Sequence, residues 1–215
     1  MISEVKNMDC VEYMKEFEDK FFDLAIVDPP YGININHNMG RRKGDKHSDY
    51  KKADWDSAPP DSTYFNELFR VSKNQIIWGA NHFISYIAID SNCWLIWDKK
   101  FSDELSFSQC ELAWSSFNDT GSKLYTYTPQ SQSNRIHPTQ KPIDLYEWIL
   151  SVFARENDKI LDTHIGSGSS RIACSEKYDF YGTELDKDHY LNMERRYQKY
   201  LSNKTNKQAR NNLFN

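Results

Sequence analysis

The sequence predicts an α/β fold with a mostly parallel, twisted sheet, and two stretches lead to that prediction. Residues 24–27 are apolar and run into Asp28 and two prolines, as a buried parallel strand does where it ends. Residues 159–162 read as a second strand, which leads into a glycine-rich turn and then a helical pattern. Because strand–helix–strand units pair their strands in parallel, both stretches indicate a parallel sheet.

Composition limits the class of protein. A chain of 215 residues is long enough for a single domain, residues 1–215, with a full core. Its content of 39% hydrophobic and 14% aromatic residues is typical of a globular protein. No apolar run approaches the roughly 20 residues that span a bilayer, and the first residues lack the pattern of a secretory leader. The four cysteines are too far apart for a zinc knuckle or a redox pair. We therefore expect a cytoplasmic protein with no metal and no membrane contact, and the net charge of −4 restricts nucleic-acid contact to a local basic patch.

The first part of the chain predicts a strand, a helix and the buried strand described above. Residues 2–6 form the short first strand, and residues 11–17 have the apolar spacing of a helix. Residues 32–60 are polar, carry a run of basic side chains and predict a loop. Asp61 or Ser62 caps a helix that reaches about Val71.

Three apolar runs in the middle of the chain predict strands at 75–78, 93–97 and 111–114. The polar stretch 115–136 predicts a loop, and Pro142 opens a helix with apolar residues on one face.

The last third predicts a compact strand–helix–strand unit. A helix around 171–177 separates the strand at 159–162 from one at 180–184, and Asp186 caps a final helix. From Ser202 onward we expect a frayed, basic tail.

Two segments lie at the edge of this sheet where open α/β folds bind ligands. Asp-Pro-Pro-Tyr at 28–31 places a carboxylate, two rigid rings and an aromatic side chain there. The turn Gly166-Ser167-Gly168 lets the backbone approach a ligand closely. Glu184 ends the next strand and can accept two hydrogen bonds from a ribose. Together these features are typical of a nucleoside site.

The sequence of the turn narrows the type of nucleoside. Arg171 stands where a dinucleotide fingerprint has its third glycine, and the chain contains no Gly-Lys-Ser or Gly-Lys-Thr of a triphosphate loop. A cofactor without phosphates fits better. S-adenosylmethionine, with its adenosine, its sulfonium and its amino acid end, is such a cofactor.

Four motifs resemble those of the S-adenosylmethionine-dependent amino-methyltransferases that modify DNA bases. Asp-Pro-Pro-Tyr at 28–31 looks like the catalytic motif. Residues 161–168 look like the cofactor loop, with His-Ile where the family usually has phenylalanine and a small or apolar residue. His-Pro-Thr-Gln-Lys-Pro at 137–142 and Trp-Gly-Ala-Asn at 78–81 extend the likeness over nearly the whole chain. The resemblance implies a Rossmann-like methyltransferase fold.

The order of the motifs resembles the circularly permuted β group of this family, because the catalytic motif precedes the cofactor loop. The final helix then ends the chain where the cofactor half of the sheet needs another strand. Residues 2–6 can supply that strand, which places Asp9 beside the adenine of the cofactor. The segment at about 100–135 is the candidate for target recognition, and it is shorter than is usual in the family.

The resemblance implies transfer of a methyl group to the N6 amine of adenine in double-stranded DNA, in a bacterial or phage-infected cell. Asp28 and the carbonyl of Pro29 each accept one hydrogen of the amine, which localises the lone pair on the nitrogen. Pro30 helps to hold that carbonyl rigidly, and Tyr31 stacks on the flipped base.

The implied cofactor site combines the glycine turn with residues before it. Asp162 contacts the methionine amino group and Lys141 the carboxylate, and Thr139 adds a hydrogen bond. The remaining predicted cofactor contacts are Asp9, His164, Gly166, Ser167, Gly168 and Glu184. We expect His137 and His164 to be structural rather than catalytic, because the histidines lack metal-binding spacing.

We expect the loop at 32–60 to close over the flipped base and to meet DNA phosphates. The predicted DNA contacts are Arg41, Arg42, Lys43 and Lys46. One short chain offers little surface for DNA, so we also expect a homodimer, which the likeness to the β group suggests as well.

The sequence leaves several alternatives open. Cytosine-N4 transfer uses the same amine chemistry, although Asp rather than Ser before Pro-Pro-Tyr resembles the adenine group more. An RNA substrate is a second alternative. A nucleic-acid-binding module that has lost catalysis is a third, and the intact motifs count against it. A Rossmann oxidoreductase is disfavoured by Arg171.

Overall fold

The computed structural model describes residues 1–33, 56–101, 108–129, 136–137 and 139–212, with only the backbone of 207–212. The strands are β1 (Ser3–Lys6), β2 (Phe22–Val27), β3 (Ser72–Trp78), β4 (Trp94–Asp98), β5 (Cys110–Ser115), β6 (Lys123–Thr126), β7 (Lys159–Asp162) and β8 (Asp179–Thr183). The helices are α1 (Cys10–Met14), α2 (Ser62–Val71), α3 (Ile84–Ile87), α4 (Ile143–Phe153), α5 (Ser169–Cys174) and α6 (Lys187–Asn212), with a 3₁₀ turn at Ala80–His82. Among the described helices, none is both long and apolar enough to span a bilayer.

The described strands form one sheet in the order β1-β8-β7-β2-β3-β5-β4-β6. β5 runs antiparallel to its neighbours β3 and β4, and the other pairings are parallel. The predicted α/β class and the mostly parallel sheet are therefore confirmed.

The first strand completes the sheet beside the last one. β1 pairs in parallel with β8, and Val5 lies opposite Gly182. Gly182 suits this position because a Cβ there would lie 2.5 Å from the Asp162 carbonyl oxygen. The permuted motif order thus has its predicted structural counterpart, since the start of the chain supplies the strand that follows β8 in space.

The sheet separates two apolar cores, and alternate residues of β2 point into one or the other. Leu24 and Ile26 belong to the core that contains the buried face of α4. Ala25 and Val27 belong to the core that α1 and α2 cover. With both faces of β2 buried, its carboxyl end is left as the accessible edge, and Asp28 follows directly.

The polar stretch 115–136 is only partly a loop, which corrects the prediction. Residues 123–126 form β6, which pairs in parallel with β4. Its side chains alternate, with Leu124 exposed and Tyr125 stacked on Trp148 of α4. A four-residue edge strand with one solvated face carries too little apolar signal to be recognised from the sequence.

The end of the chain is also more ordered than predicted. Helix α6 continues through Ser202 to Asn212 instead of ending in a frayed tail. The Lys204 ammonium pairs with Glu176, and the hydroxyl of Ser175 donates a hydrogen bond to that of Tyr200 at 3.4 Å. These contacts attach the helix to the region after α5.

Candidate active site

A cavity of about 630 Å³ joins the predicted catalytic motif to the predicted cofactor loop at the carboxyl edge of the sheet. The predicted site residues that line it are Asp9, Asp28, Pro29, Pro30, Tyr31, Thr139, Lys141, His164, Gly166, Ser167 and Glu184. Asp162 is buried and Gly168 begins α5. The predicted DNA contacts Arg41, Arg42, Lys43 and Lys46 lie outside the described residues, as does Pro138.

The Asp-Pro-Pro-Tyr turn is held by its own tyrosine. The Tyr31 hydroxyl donates a hydrogen bond of 2.7 Å to Oδ1 of Asp28. The Tyr31 ring stacks on His82, with 5.0 Å between ring centroids. Gly79 packs so closely that a Cβ at that position would overlap the tyrosine ring. The glycine of the Trp-Gly-Ala-Asn motif is therefore required by the position of Tyr31.

Asp56 holds the backbone that follows Asp-Pro-Pro-Tyr, a role that no sequence motif indicated. Its Oδ1 accepts hydrogen bonds from the amides of Tyr31 (2.7 Å) and Gly32 (3.0 Å), and the residue is 3% exposed. This carboxylate ties one end of the predicted basic loop to the catalytic turn.

Replacing Asp56 by Ala is expected to lower the free energy of unfolding by about 2–4 kcal/mol, because two amides lose a buried acceptor. Urea denaturation of this variant measures the loss, with exposed Asp90→Ala as the matched control. Equal stability of the two variants would contradict the anchoring role of Asp56.

Lys141 sits between two carboxylates on different strands. Its Nζ lies 2.5 Å from Oδ2 of Asp28 and 3.0 Å from Oε2 of Glu111, and the side chain is 4% exposed. The other Glu111 oxygen, Oε1, lies 2.6 Å from Nζ of Lys99. Cations and anions thus alternate along Lys99, Glu111, Lys141 and Asp28.

Lys141 is buried and Glu111 is partly buried, and the pairing of their charges shifts the pKa of each. Burial alone would lower the pKa of Lys141, but the carboxylates of Asp28 and Glu111 outweigh burial and raise it. Burial would raise the pKa of Glu111, but Lys141 and Lys99 outweigh it and lower that pKa to about 2. Glu111 and Lys141 are therefore both charged at neutral pH.

The glycine turn is shaped around Glu184. Oε2 of Glu184 accepts a hydrogen bond from the Gly166 amide (2.9 Å), and Oε1 accepts one from the Asp186 amide (3.0 Å). Gly168 begins α5 with φ of +77°, and a Cβ there would lie 2.6 Å from Cγ of Met193. The carboxylate at the end of β8 and the turn after β7 therefore form one unit.

Asp162 is a buried acid at the end of β7. Its Oδ1 accepts a hydrogen bond from the His164 amide (3.0 Å), and its Oδ2 accepts one from the Ser170 hydroxyl (2.5 Å). Burial, which exceeds the effect of these hydrogen bonds, raises the pKa of Asp162 to about 7. A cationic group bound nearby would favour its ionised form.

The two histidines predicted to be structural have local partners. Burial lowers the pKa of His164 to about 4, so its ring is neutral, and Nδ1 lies 2.9 Å from Oγ1 of Thr163. Nδ1 of His137 lies 3.1 Å from Oγ1 of Thr139, and its ring packs edge-on against His189. Within the described part of the chain, no three metal-binding side chains are grouped.

Comparison with known proteins gives a match to the N6_N4_Mtase family model, described as DNA methylase, over residues 91–195. This match covers the cofactor loop and the motif at 137–142. Among similar proteins, the type II methyltransferase M2.MboI of Moraxella bovis is 23% identical over 210 residues, which cover 77% of this chain and 76% of the relative. The predicted resemblance to the DNA methyltransferases is confirmed.

Solved structures confirm the methyltransferase fold. The crystal structure of the M1.HpyAVI–SAM complex superposes with a TM-score of 0.61 at 21% identity, covering 91% of this chain and 98% of that chain. PvuII DNA methyltransferase, whose title calls it cytosine-N4-specific, gives a TM-score of 0.62 at 9% identity, covering 90% and 86%. At these identities the two structures bear on the fold alone.

Glu111 is, besides Asp56, a residue of this candidate site that the sequence analysis missed. It lies in β5, where the alternate residues Ala113 and Ser115, which point to the same side of the sheet as Glu111, are fully buried. A charged residue in an otherwise apolar strand was the available signal. By contrast, the assignment of Lys141 to the cofactor carboxylate stays a prediction, since the structure places its ammonium on Asp28 and Glu111.

Proposed function

We propose that this DNA methyltransferase transfers a methyl group from S-adenosylmethionine to the N6 amine of adenine in double-stranded DNA. The observation that carries the proposal is the single cavity in which Asp-Pro-Pro-Tyr at 28–31 faces the glycine turn and Glu184. Direct methyl transfer requires the target amine and the methyl donor to be held side by side. One cavity that contains both a group to bind the amine and a nucleoside site meets this requirement.

The residues of the cavity fit the proposed cofactor. A volume of about 630 Å³ is within the range of small-molecule sites. Glu184 and Asp9 line the cavity, where they would contact the ribose and the adenine, and the buried carboxylate of Asp162 would contact the amino group. When bound, S-adenosylmethionine supplies an electrophilic methyl group on its sulfonium.

The chain's own groups act on the target amine. The Asp28 carboxylate and the Pro29 carbonyl each accept a hydrogen bond from one N–H of the amine. These hydrogen bonds make the nitrogen lone pair available and stabilise the positive charge that develops on the nitrogen. The hydrogen bond from the Tyr31 hydroxyl to Oδ1 fixes the orientation of this carboxylate. Asp56 and Gly79 fix the tyrosine, so the acceptor geometry is set before the target arrives.

The test of the proposed function is transfer of isotope-labelled methyl groups to unmethylated plasmid DNA, followed by hydrolysis and nucleoside mass analysis. Labelled N6-methyl-2′-deoxyadenosine is the expected product. Labelled N4-methyl-2′-deoxycytidine would instead support the second candidate, cytosine-N4 transfer, which uses the same amine chemistry and is covered by the same N6_N4_Mtase family model. Label on neither nucleoside would reject both.

Cofactor affinity is expected to rise with pH and to level off above about pH 7. Asp162, whose pKa burial raises to about 7, is protonated in the free protein below that pH, whereas an ammonium partner needs the carboxylate. Each pH unit below 7 should therefore cost up to about tenfold in affinity. Calorimetry between pH 5.5 and 8 measures this slope. The same slope in an Asp162→Asn variant would contradict the assignment.

The DNA partner and the homodimer remain predictions, as does the cytoplasmic location. Neutralising Arg41, Arg42 and Lys43 together is expected to weaken DNA binding and to reduce its log–log salt slope by about 0.9 for each lost phosphate contact. Binding of S-adenosylmethionine should not change. An unaltered salt slope would contradict the loop assignment, and a monomer in light scattering at assay concentration would contradict the dimer.

A further inference from the structure

Both carboxylate oxygens of Asp28 are already engaged by the protein. Oδ1 accepts from the Tyr31 hydroxyl at 2.7 Å, and Oδ2 contacts the Lys141 ammonium at 2.5 Å. The Asp28 carboxylate, the proposed hydrogen-bond acceptor for the target amine, is thus already occupied by the Lys141 ammonium. An amine that reaches Asp28 must compete with Lys141.

We propose that Lys141 blocks the acceptor oxygen of Asp28 until the target amine displaces it, and that Glu111 is the positioning residue that receives the displaced ammonium. The proposal rests on the proposed function in one respect, namely that the target amine binds at Asp28. Lys141 and Glu111 are positioning residues, because they act through the Asp28 carboxylate.

The geometry keeps the free-energy cost of this displacement low. A buried ammonium that loses its only anionic partner is strongly destabilised, because it remains desolvated and unpaired. Lys141 avoids that cost because Oε2 of Glu111 is already 3.0 Å from Nζ, only 0.5 Å farther than Oδ2 of Asp28. Glu111 lies in the interior strand β5 and is paired with Trp97 of β4, so the sheet holds its backbone in place. The ammonium therefore shifts between two fixed carboxylates and stays paired throughout.

Lys99 sets the balance between the two carboxylates. Its Nζ lies 2.6 Å from Oε1 of Glu111, so it competes with Lys141 for the charge of that residue. Removing the charge of Glu111 should leave Lys141 more firmly on Asp28. Removing the charge of Lys99 should let Glu111 draw Lys141 away from Asp28. The two substitutions are expected to have opposite effects, which a purely structural ion-pair network would not produce.

The kinetic test compares single-turnover rates of methyl transfer to plasmid DNA. Glu111→Gln is expected to lower the rate constant at least tenfold, while affinity for S-adenosylhomocysteine stays within about threefold. Glu111→Asp, which keeps the anion, should recover most of the rate, and Lys99→Gln should raise the rate above wild type. Glu176→Gln, which removes an exposed ion pair with Lys204 far from the cavity residues, is the matched control.

A second measurement does not depend on activity or on the stability of the Glu111 variant. In protein labelled with ¹⁵N-lysine, the Lys141 ammonium signal is assigned by its loss in Lys141→Arg. The signal is expected to move in Asp28→Asn, because that substitution removes the charge 2.5 Å away.

The outcomes separate this inference from the proposed function. Wild-type protein that methylates no DNA would refute the proposed function. Active wild type with an unchanged rate in Glu111→Gln, or equal losses in Glu111→Gln and Lys99→Gln, would overturn the role of Lys141. An unmoved ammonium signal in Asp28→Asn would overturn it as well.

Discussion

Methyl transfer falls by at least about a thousandfold when Asp28 is replaced by Ala, while S-adenosylmethionine binding stays within a few-fold of wild type. The loss is large because a single preorganised group that stabilises developing charge contributes about 10²–10³ in rate, and Ala also releases the Tyr31 hydroxyl from its partner. We expect cofactor binding to survive because the proposed role of Asp28 is to contact the target amine rather than the ribose. Single-turnover transfer and calorimetry on the same preparation measure the two effects.

Two further variants make this expectation specific. Asp28→Asn keeps one acceptor oxygen, so its rate should lie between those of wild type and Asp28→Ala. Exposed Asp90→Ala, which lies outside both the cavity and the candidate target-recognition segment, should match wild type in both measurements. Lys141 still has Glu111 as a partner in the Asp28 variants, so the protein should fold. Wild-type turnover in Asp28→Ala would refute the assigned role.

The sequence predicted the parts of the fold that local pattern determines. The start of α2 at Asp61 or Ser62 and its end at about Val71 were predicted because a capping side chain and one apolar face are local signals, and the structure has Asp61 as the cap and Val71 as the last residue. The pairing of β1 with β8 was predicted from the motif order. In the permuted order the chain ends before the strand next to β8, so the first residues must supply that strand. The buried strand β2 was predicted from four successive apolar residues.

The rest of the site depends on contacts between distant parts of the chain. Asp56 lies 25 residues from Tyr31 and Glu111 lies 30 residues from Lys141, and neither belongs to a recognisable motif. Lys141 was predicted to be important because of its motif, yet its position on Asp28 follows from how α4 and β2 meet, which periodicity does not encode. Strand β6 was missed for the same reason, because only its pairing with β4 makes it a strand.

Replacing Glu184 by Ala is expected to weaken S-adenosylmethionine binding by at least about tenfold. Hydrogen bonds to a charged acceptor contribute roughly 1.5–3 kcal/mol each, and the proposed ribose contact uses up to two. Calorimetry measures the loss. The difficulty is that Glu184 also accepts hydrogen bonds from the amides of Gly166 and Asp186, so loss of the carboxylate could weaken binding through a distorted turn.

A double-mutant cycle between residue and ligand separates the two explanations of that loss. Wild type and Glu184→Ala are each titrated with S-adenosylhomocysteine and with its 2′-deoxy analogue. If Glu184 holds the ribose, removal of the 2′ hydroxyl weakens binding to wild type by about tenfold and leaves binding to the variant nearly unchanged, because a hydrogen bond of about 1.4 kcal/mol is then lost only once. If Glu184 only shapes the turn, the two losses add, and the assignment of Glu184 to the ribose is wrong.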